Sequence, residues 1–385
     1  MREIYFDNSA TTRVYPEAIE LMRRTMTEDY GNPSSKHTMG MTAERYFRQA
    51  RERVAETLRV KPREILFTSG GTESDNTALL GTALAKRRQG KHIITSNVEH
   101  AAVYKPLELL AELGYEITIL PVDRRGHISL SELRAAIRPD TILVSVMYVN
   151  NEIGALEPIA EIGRLVKACN PATLFHTDAI QAYGKYELRP KKEGIDLLSV
   201  SGHKLHAPKG VGFLYVDERV HIRPLLYGGG QQEDMRSGTH NVPGIAAMGL
   251  AAELAYRNHA EKIACLRELK DYFITELEKL PGVTVHSEKG EAGAPQIVSA
   301  SFEGVRAEVL LHALEERGIY VSSGSACSSN HPGISGTLRA IGVPQELLDS
   351  TIRFSFSFFN EKEEADLCID ALRELLPMLR RFQRH

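Results

Sequence analysis

The sequence predicts an α/β protein in which a large domain with a mainly parallel, seven-stranded sheet is followed by a smaller α+β domain. From Ile65 onward, short β-branched runs alternate with amphipathic helical stretches, which is typical of a parallel sheet covered by helices. That alternation stops after Val216. The chain has 385 residues, more than most single domains, so we expect two domains with a site between them.

Seven runs predict the strands of the large sheet. They lie at 65–68, 92–96, 117–120, 141–146, 174–177, 197–200 and 211–216. Most of these runs end in polar residues, and open α/β sheets bind ligands beyond the carboxyl ends of their strands. We therefore expect the polar ends to converge on one site.

The second domain follows a glycine-rich break at 227–230. A long helical pattern from about 243 to 280 leads into it. Strands are predicted at 298–302 and 352–356, and helices near 307–317 and 361–381. Earlier in the chain, residues 43–58 have the spacing of an amphipathic helix with a solvated charged face.

Composition excludes several classes of protein. Hydrophobic residues make up 42% and charged residues 25% of the chain, as in ordinary globular proteins. The net charge of −3 gives no indication of direct nucleic-acid binding. The first residues lack the apolar stretch of a signal peptide, and no run of about eighteen apolar residues predicts a membrane span. We therefore expect a cytoplasmic protein without a membrane partner.

The four cysteines show neither CxxC spacing nor the density of a disulfide scaffold, which fits a reducing compartment. Cys169, Cys265 and Cys368 fall within helical patterns, where a cysteine is usually a small, inert core residue. Cys327 differs from these three. Its surroundings at 322–330 have no apolar periodicity, which predicts an exposed loop.

The segment 68–74, TSGGTES, follows a predicted strand and precedes a helical stretch. Two glycines and several hydroxyls therefore lie where a helix N-terminus presents free N–H groups, which is the composition of an anion site. It matches neither a Walker loop nor the GxGxxG fingerprint, and a plain strand-to-helix turn explains it equally well.

Lys204 follows a predicted strand in the segment 201–204, SGHK. A lysine that forms a Schiff base needs such a partly desolvated position at a sheet edge, because the free amine is the nucleophile. The alternative is an ordinary solvated lysine, and nearby Lys209 is a rival candidate. The position directly after a strand favours Lys204.

Other polar side chains follow or interrupt predicted strands. Asp178 suits a protonated pyridine nitrogen or, equally, a helix N-cap. His100 suits stacking or proton transfer, although a single histidine is more often a hydrogen-bonded neighbour, and no spacing predicts a metal site. Asn150 and Asn151 are expected to be polar contacts of the same pocket. Arg353 interrupts an apolar strand and suits either a substrate carboxylate or a structural salt bridge.

Together these segments resemble the class V, fold-type I pyridoxal-phosphate (PLP) enzymes, and among them the NifS/IscS-like cysteine desulfurases with a long cysteine loop. The resemblance covers nearly the whole chain. It rests on YFDNSATT at 5–12, GNPSS at 31–35, GGTES at 70–74, VNNEIG at 149–154, SGHK at 201–204, RSGT at 236–239 and SGSAC at 323–327.

The resemblance implies a role for each site residue. The phosphate would be held by Gly71, Thr72, Ser201 and His203, with Thr239 reaching across from the other subunit of a homodimer. Lys204 would carry the cofactor, Asp178 would face the pyridine nitrogen, and His100 would stack on the ring as a catalytic residue. Asn151 and Gln181 would contact the ring, and Asn151 and Arg353 would contact the substrate. Cys327 would take the sulfur of L-cysteine as a persulfide and pass it on.

The resemblance also implies domains and partners. The large PLP-binding domain would span 15–256, and the small domain 1–14 and 257–385, with the cysteine loop at about 322–336. Gly324, Gly333 and Gly336 would give that loop its freedom to move. The sulfur acceptor would be an iron–sulfur scaffold, a tRNA-thiolation enzyme or a carrier protein. Alternatives on the same scaffold are a selenocysteine lyase, another class V aminotransferase, or an assembly hub with little activity of its own.

Overall fold

The computed structural model describes residues 3–323 and 335–381. In chain order the strands are β1 (Ile4–Tyr5), β2 (Ile65–Thr68), β3 (His92–Ser96), β4 (Glu116–Leu120), β5 (Thr141–Ser145), β6 (Leu174–Asp178), β7 (Leu197–Ser201), β8 (Gly212–Val216), β9 (Val283–Val285), β10 (Ile297–Phe302), β11 (Ile319–Tyr320), β12 (Ser322–Ser323) and β13 (Thr351–Ser355). The α-helices are α1 (Pro16–Thr27), α2 (Thr38–Leu58), α3 (Gly71–Lys86), α4 (Ala101–Glu112), α5 (Leu130–Ala136), α6 (Ile159–Cys169), α7 (Pro190–Glu193), α8 (Val242–Tyr256), α9 (His259–Leu277), α10 (Ala307–Glu315), α11 (Gly336–Ala340) and α12 (Lys362–Arg381).

The large sheet contains the seven predicted strands, in the spatial order β2-β8-β7-β6-β5-β3-β4. Pairing is parallel from β7 through β4, whereas β8 is antiparallel to both of its neighbours. The fold class predicted from the alternation is therefore confirmed. The antiparallel strand β8 returns the chain between β2 and β7, so the ends of β2, β6 and β7 meet at one edge.

Both faces of this sheet are buried except at the edge strand β4, which explains why its inner strands are mainly apolar runs. Successive side chains point to opposite faces. Leu197, for example, packs with α3 and α4 on one face, while Leu198 packs with α2, α6 and α8 on the other. At the carboxyl end the apolar residues give way to polar ones, of which Asp178 and Ser201 are buried.

Helix α8 lies at the centre of the larger core against α2. A Cβ on Gly249 would lie 2.5 Å from the Cα of Ala50, so this glycine permits the close approach of the two helices. Helix α2 begins at Thr38, ahead of the predicted start at residue 43, and buries Phe47 and Val54. Of the helices in the described ranges, α8 included, none combines the length and apolar character that crossing a bilayer would require.

The single helical pattern predicted over 243–280 is two helices, and that prediction was wrong. Asn258 between them has a left-handed backbone with φ of 54°, which ends the hydrogen-bond ladder. Asparagine tolerates this conformation better than most residues do, so the chain turns here without a glycine or proline that would mark the break in the sequence. The bend lets α8 pack in the larger core while α9 packs Leu266 and Phe273 in a second core.

The second core lies around an antiparallel sheet in the order β12-β13-β10-β9, with α9, α10 and α12. Strand β1 joins it by pairing in parallel with β11, and Ile4 and Phe6 are buried there. The N-terminal residues therefore pack with the C-terminal third of the chain. The proposed limits of the two domains stay a prediction.

Cys327 and most of the predicted loop at about 322–336, including Gly324 and Gly333, lie outside the described residues. Two described parts of that segment correct the prediction. Ser322 and Ser323 form β12, because β13 supplies backbone partners at Arg353 and Ile352. Gly336 begins helix α11, where the Ser335 hydroxyl accepts a hydrogen bond from the Leu338 amide, at 3.0 Å.

The remaining cysteines differ in burial. Cys368 is buried in the second core, as predicted, and burial raises the pKa of its thiol. The same expectation was wrong for Cys169 and Cys265, which are exposed. Cys169 ends helix α6, and Cys265 lies on α9 beside Leu266, whose side chain faces the core in its place.

Candidate active site

A cavity of about 220 Å³ opens where β2, β6 and β7 end. Every predicted cofactor contact except Thr239 lines it. These residues are Gly71, Thr72, His100, Asn151, Asp178, Gln181, Ser201, His203 and Lys204. Sequence reasoning missed four further lining residues, Ser9, Met147, Val149 and Ile180. Ser9 lies within the motif at 5–12, to which no role had been assigned.

One end of the cavity is the N-terminus of α3. Gly70 has φ of +148°, a backbone conformation that side chains rarely adopt, and a Cβ on Gly71 would lie 2.1 Å from the Ile180 Cδ1. Both glycines therefore let the backbone reach the cavity. The first N–H groups of a helix together with hydroxyls make an anion site, and Thr72 and Ser201 supply the hydroxyls here. These residues fit the phosphate of PLP.

Lys204 ends a short 3₁₀ turn, Gly202–Lys204, directly after β7. Its Nζ donates to the carbonyl oxygens of Ser9 at 2.5 Å and Ala10 at 2.7 Å. The rival lysine, Lys209, is exposed and does not line the cavity. The N-terminal segment thus covers the lysine motif, and Thr12 strengthens this contact by donating through its amide and its hydroxyl to the His203 carbonyl, both at 2.9 Å.

Asp178 ends β6 with its side chain at the cavity. One carboxylate oxygen accepts a hydrogen bond of 2.9 Å from the Ile180 amide, so it caps a turn as well as lining the cavity. Burial raises the pKa of Asp178, and the charges of His100 and Lys204 oppose that rise. A buried carboxylate at this position fits the pyridine nitrogen of PLP.

His100 is the N-cap of α4. Its Nδ1 accepts a hydrogen bond of 3.1 Å from the Ala102 amide, so a neutral ring carries its proton on Nε2. The ring is therefore the hydrogen-bonded neighbour expected as one alternative, and it also lines the cavity. Its stacking on a cofactor or transfer of protons stays a prediction.

The two asparagines after β5 have different roles. Asn151 lines the cavity, but Asn150 does not. Asn150 is buried, accepts hydrogen bonds from the amides of Glu152 and Ile153, and donates to the Val98 carbonyl at 3.0 Å. The expectation that Asn150 contacts the pocket was wrong because its amide holds the turn that presents Asn151.

Arg353 lies on β13, is nearly fully buried, and does not line the cavity itself. Its guanidinium donates to the Asn151 carbonyl at 2.9 Å and to an Asp7 carboxylate oxygen at 3.1 Å. The salt bridge expected as one alternative is therefore present, and Asp7 is a partner that the sequence did not reveal. Burial raises the pKa of Asp7, although Arg353 acts in the opposite direction.

Thr239 lies exposed on the connection between β8 and α8, outside the cavity of its own chain. The suggested contact of Thr239 with a cofactor in a second subunit stays a prediction.

Glu99 is a buried carboxyl that sequence reasoning missed, although it precedes His100. One oxygen accepts from the Ser96 hydroxyl at 2.6 Å and from the Met147 amide at 2.9 Å, so it fixes a residue of the cavity wall. Burial raises the pKa of Glu99 from 4.5 to about 8.

We expect Glu99→Gln to become more stable relative to the wild type as the pH rises. A carboxyl whose folded pKa is raised stabilises the fold below its unfolded pKa, and this stabilisation is lost as pH rises through the folded value. The free energy of unfolding of the variant relative to wild type should therefore rise by roughly 2–3 kcal/mol between pH 6 and pH 9. Urea unfolding at both pH values measures this difference, with the substitution Glu108→Gln at an exposed carboxyl as the control.

The sequence matches the aminotransferase class-V family over residues 4–368, and the chain belongs to that family. Cysteine desulfurase IscS of Dictyoglomus turgidum is 44% identical over 98% of this chain and 96% of its own length. Cysteine desulfurase IscS of Methanosarcina thermophila is 45% identical over 98% of this chain and 93% of its own.

Solved structures have the same fold. A NifS-like protein superposes with a TM-score of 0.93 at 38% identity and covers 98% of this chain and 100% of its own. A structure of SspA in complex with cysteine has a TM-score of 0.79 at 33% identity and covers 93% of this chain and 100% of its own. The predicted resemblance to NifS/IscS-like cysteine desulfurases is confirmed.

Proposed function

We propose that this protein is a PLP-dependent cysteine desulfurase that converts L-cysteine to L-alanine and keeps the sulfur as a persulfide on Cys327. The observation that carries the proposal is the cavity, which combines Lys204, Asp178 and His100 with the N-terminus of α3. This combination occurs in a chain that is 44% identical to a curated cysteine desulfurase over 98% of its length.

The site residues divide into those that hold the cofactor and those that act on the substrate. The N–H groups at Gly71 and Thr72, with Ser201 and His203, would hold the phosphate, and Lys204 would bond the aldehyde. Bound PLP supplies an electron sink for the Cα of a bonded amino acid. Asp178 would place its carboxyl group at the pyridine end, and Asn151 and Gln181 would border the ring. Thr239 would complete the phosphate site from the second subunit of a homodimer.

His100 and Lys204 are the proton-transfer groups. His100 and Lys204 both line the cavity, and their imidazole and amine groups are types that can move a proton to or from the substrate. Arg353 holds the Asn151 main chain and is the basic residue next to the cavity that suits the substrate carboxylate. L-cysteine as the substrate is supported by the related structure of SspA in complex with cysteine.

The sulfur transfer balances without an added oxidant or reductant. The Cys327 thiolate attacks the substrate sulfur and forms an S–S bond while the substrate carbon–sulfur bond breaks. The carbon keeps the electron pair and takes up a proton, so the products are L-alanine and the Cys327 persulfide. The thiolate form is the nucleophile in this step. An iron–sulfur scaffold, a tRNA-thiolation enzyme or a carrier protein would then receive the sulfur in the cytoplasm.

Mass analysis after addition of L-cysteine to the PLP-loaded protein tests this proposal. We expect one additional sulfur on the peptide that contains residue 327, with L-alanine released in step. Cys327→Ala should keep the visible absorbance of the bound cofactor and lose turnover of L-cysteine. Cys265→Ala, which removes an exposed cysteine, is the matched control and should retain turnover. Full activity in Cys327→Ala would refute the persulfide route.

A further inference from the structure

Lys185 lies on the connection that follows β6, next to the main chain of Lys204. Its Nζ donates a hydrogen bond of 2.7 Å to the backbone carbonyl of Lys204, and the residue is only 7% exposed. The same connection begins after Asp178, the last residue of β6, and carries Gln181 into the cavity. One short segment therefore contacts both the pyridine end of the site and the main chain of its lysine.

Lys185 is a second cation beside the lysine of the site. Burial and then the charge of Lys204 lower the pKa of Lys185 to about 8, which leaves it mainly charged at neutral pH. No carboxylate of the described residues is among the charges that act on it. Within the described residues, the charge of Lys185 also lowers the pKa values of His206 and His259. Because the repulsion is mutual, a charged Lys185 disfavours a second positive charge on the Lys204 nitrogen.

A second buried lysine shows that this protein can bury an ammonium group without placing it beside another lysine. Lys270 is fully buried, donates to the Glu288 carbonyl, and has a pKa that burial lowers to about 8. It lies on α9 outside the cavity, and the charges of Asp271 and Glu288 stabilise its charged form while Arg267 opposes them. Lys270 therefore has carboxylates to offset a neighbouring cation, whereas the charge that acts on Lys185 is a second lysine.

We propose that Lys185 is a positioning residue for Lys204, which holds the Lys204 main chain by its carbonyl and sets a buried positive charge against the amine that carries the cofactor. This inference rests on the proposed function. Before the cofactor binds, the charge favours the neutral amine, which is the form that attacks an aldehyde. After binding, it makes the nitrogen that joins Lys204 to the cofactor less basic.

A pH titration of the visible absorption of the PLP-loaded protein tests this proposal, because the absorption band reports protonation of the joining nitrogen. Removing a like charge raises the pKa of that nitrogen, so Lys185→Met should move the spectral transition upward by about 1 pH unit. Lys185→Arg keeps the charge and should leave the transition near its wild-type position. Lys270→Met is the matched control and should not move it. Lys185→Gln carries the same expectation should the methionine variant not fold.

Three outcomes would count against the inference. A transition in Lys185→Met and Lys185→Gln that coincides with that of the wild type would overturn it. An equal movement in Lys185→Arg would also overturn it, because packing and not charge would then be responsible. Borohydride reduction and peptide mass analysis locate the joined lysine. A cofactor joined to the wild type elsewhere than Lys204 would overturn the proposed function as well, whereas an unmoved transition with attachment at Lys204 would overturn the inference alone.

Discussion

Lys204→Ala is expected to lose covalent attachment of PLP and to reduce kcat for L-cysteine by about 10²–10⁴-fold. The structure places the Lys204 amine at the cavity wall, where two carbonyls of the N-terminal segment hold it. Alanine removes both the nucleophile that bonds the aldehyde and a group that moves protons. Visible absorbance and borohydride reduction measure the loss of covalent attachment. Steady-state release of alanine measures the loss of turnover.

Lys209→Ala is the control for this prediction. Lys209 lies five positions further along the chain, is exposed, and stands outside the cavity. The Lys209→Ala protein should therefore retain the visible absorbance of the bound cofactor and the wild-type kcat. A Lys204→Ala protein that still turns over L-cysteine at the wild-type rate, or a Lys209→Ala protein that loses the cofactor, would show that the lysine has been assigned wrongly.

Arg353→Met is expected to lower the free energy of unfolding by about 3 kcal/mol, since removal of one partner leaves the other charge largely buried with only Lys204 to offset it. That partner is the Asp7 carboxylate, whose side chain is 20% exposed and 3.1 Å from the guanidinium. The change also removes the donor to the Asn151 carbonyl, so the cavity wall loses a fixed point. Urea unfolding measures the loss of stability.

Asp7→Asn separates the structural role of Arg353 from a role in substrate binding. Asparagine breaks the ion pair but leaves the guanidinium in place, so it should destabilise the fold without raising KM for L-cysteine. Arg353→Lys keeps a charge but not the paired geometry of two parallel hydrogen bonds, and it should raise KM by about tenfold. Equal KM values in the wild type, Asp7→Asn and Arg353→Lys would leave Arg353 only its structural contacts with Asp7 and Asn151.

Much of the large sheet could be predicted, because each of its strands is short, apolar and bounded by polar residues. The predicted runs and the observed strands of this sheet differ by at most one residue at either end. The direction of β8 was not predictable in this way, since an apolar run is the same in either direction. The break at Asn258 was missed for a related reason, because an apolar helical pattern continues on both sides of it.

The site could be anticipated wherever its residues follow a strand. Asp178, Ser201 and Lys204 were found because they follow predicted strands, and the carboxyl ends of neighbouring parallel strands meet at one edge. The apolar runs in the sequence are sufficient to predict where these strands end. Gly71 and Thr72 were found for the same reason, since they begin a helix after β2. The anion site, the Schiff-base lysine and the carboxylate for a pyridine nitrogen were suggested by the residues themselves, and the resemblance to a family joined them into one cofactor site.

Tertiary structure alone decided which polar groups contact one another. Ser9 lies 195 residues from Lys204 in the chain and still accepts its hydrogen bond, and Asp7 lies 346 residues from Arg353. Periodicity reports which face of an element is apolar, but not which distant segment covers that face. The difference between Asn150 and Asn151, and the contact of Lys185 with Lys204, likewise depend on how the connections after β5 and β6 fold against the rest of the chain.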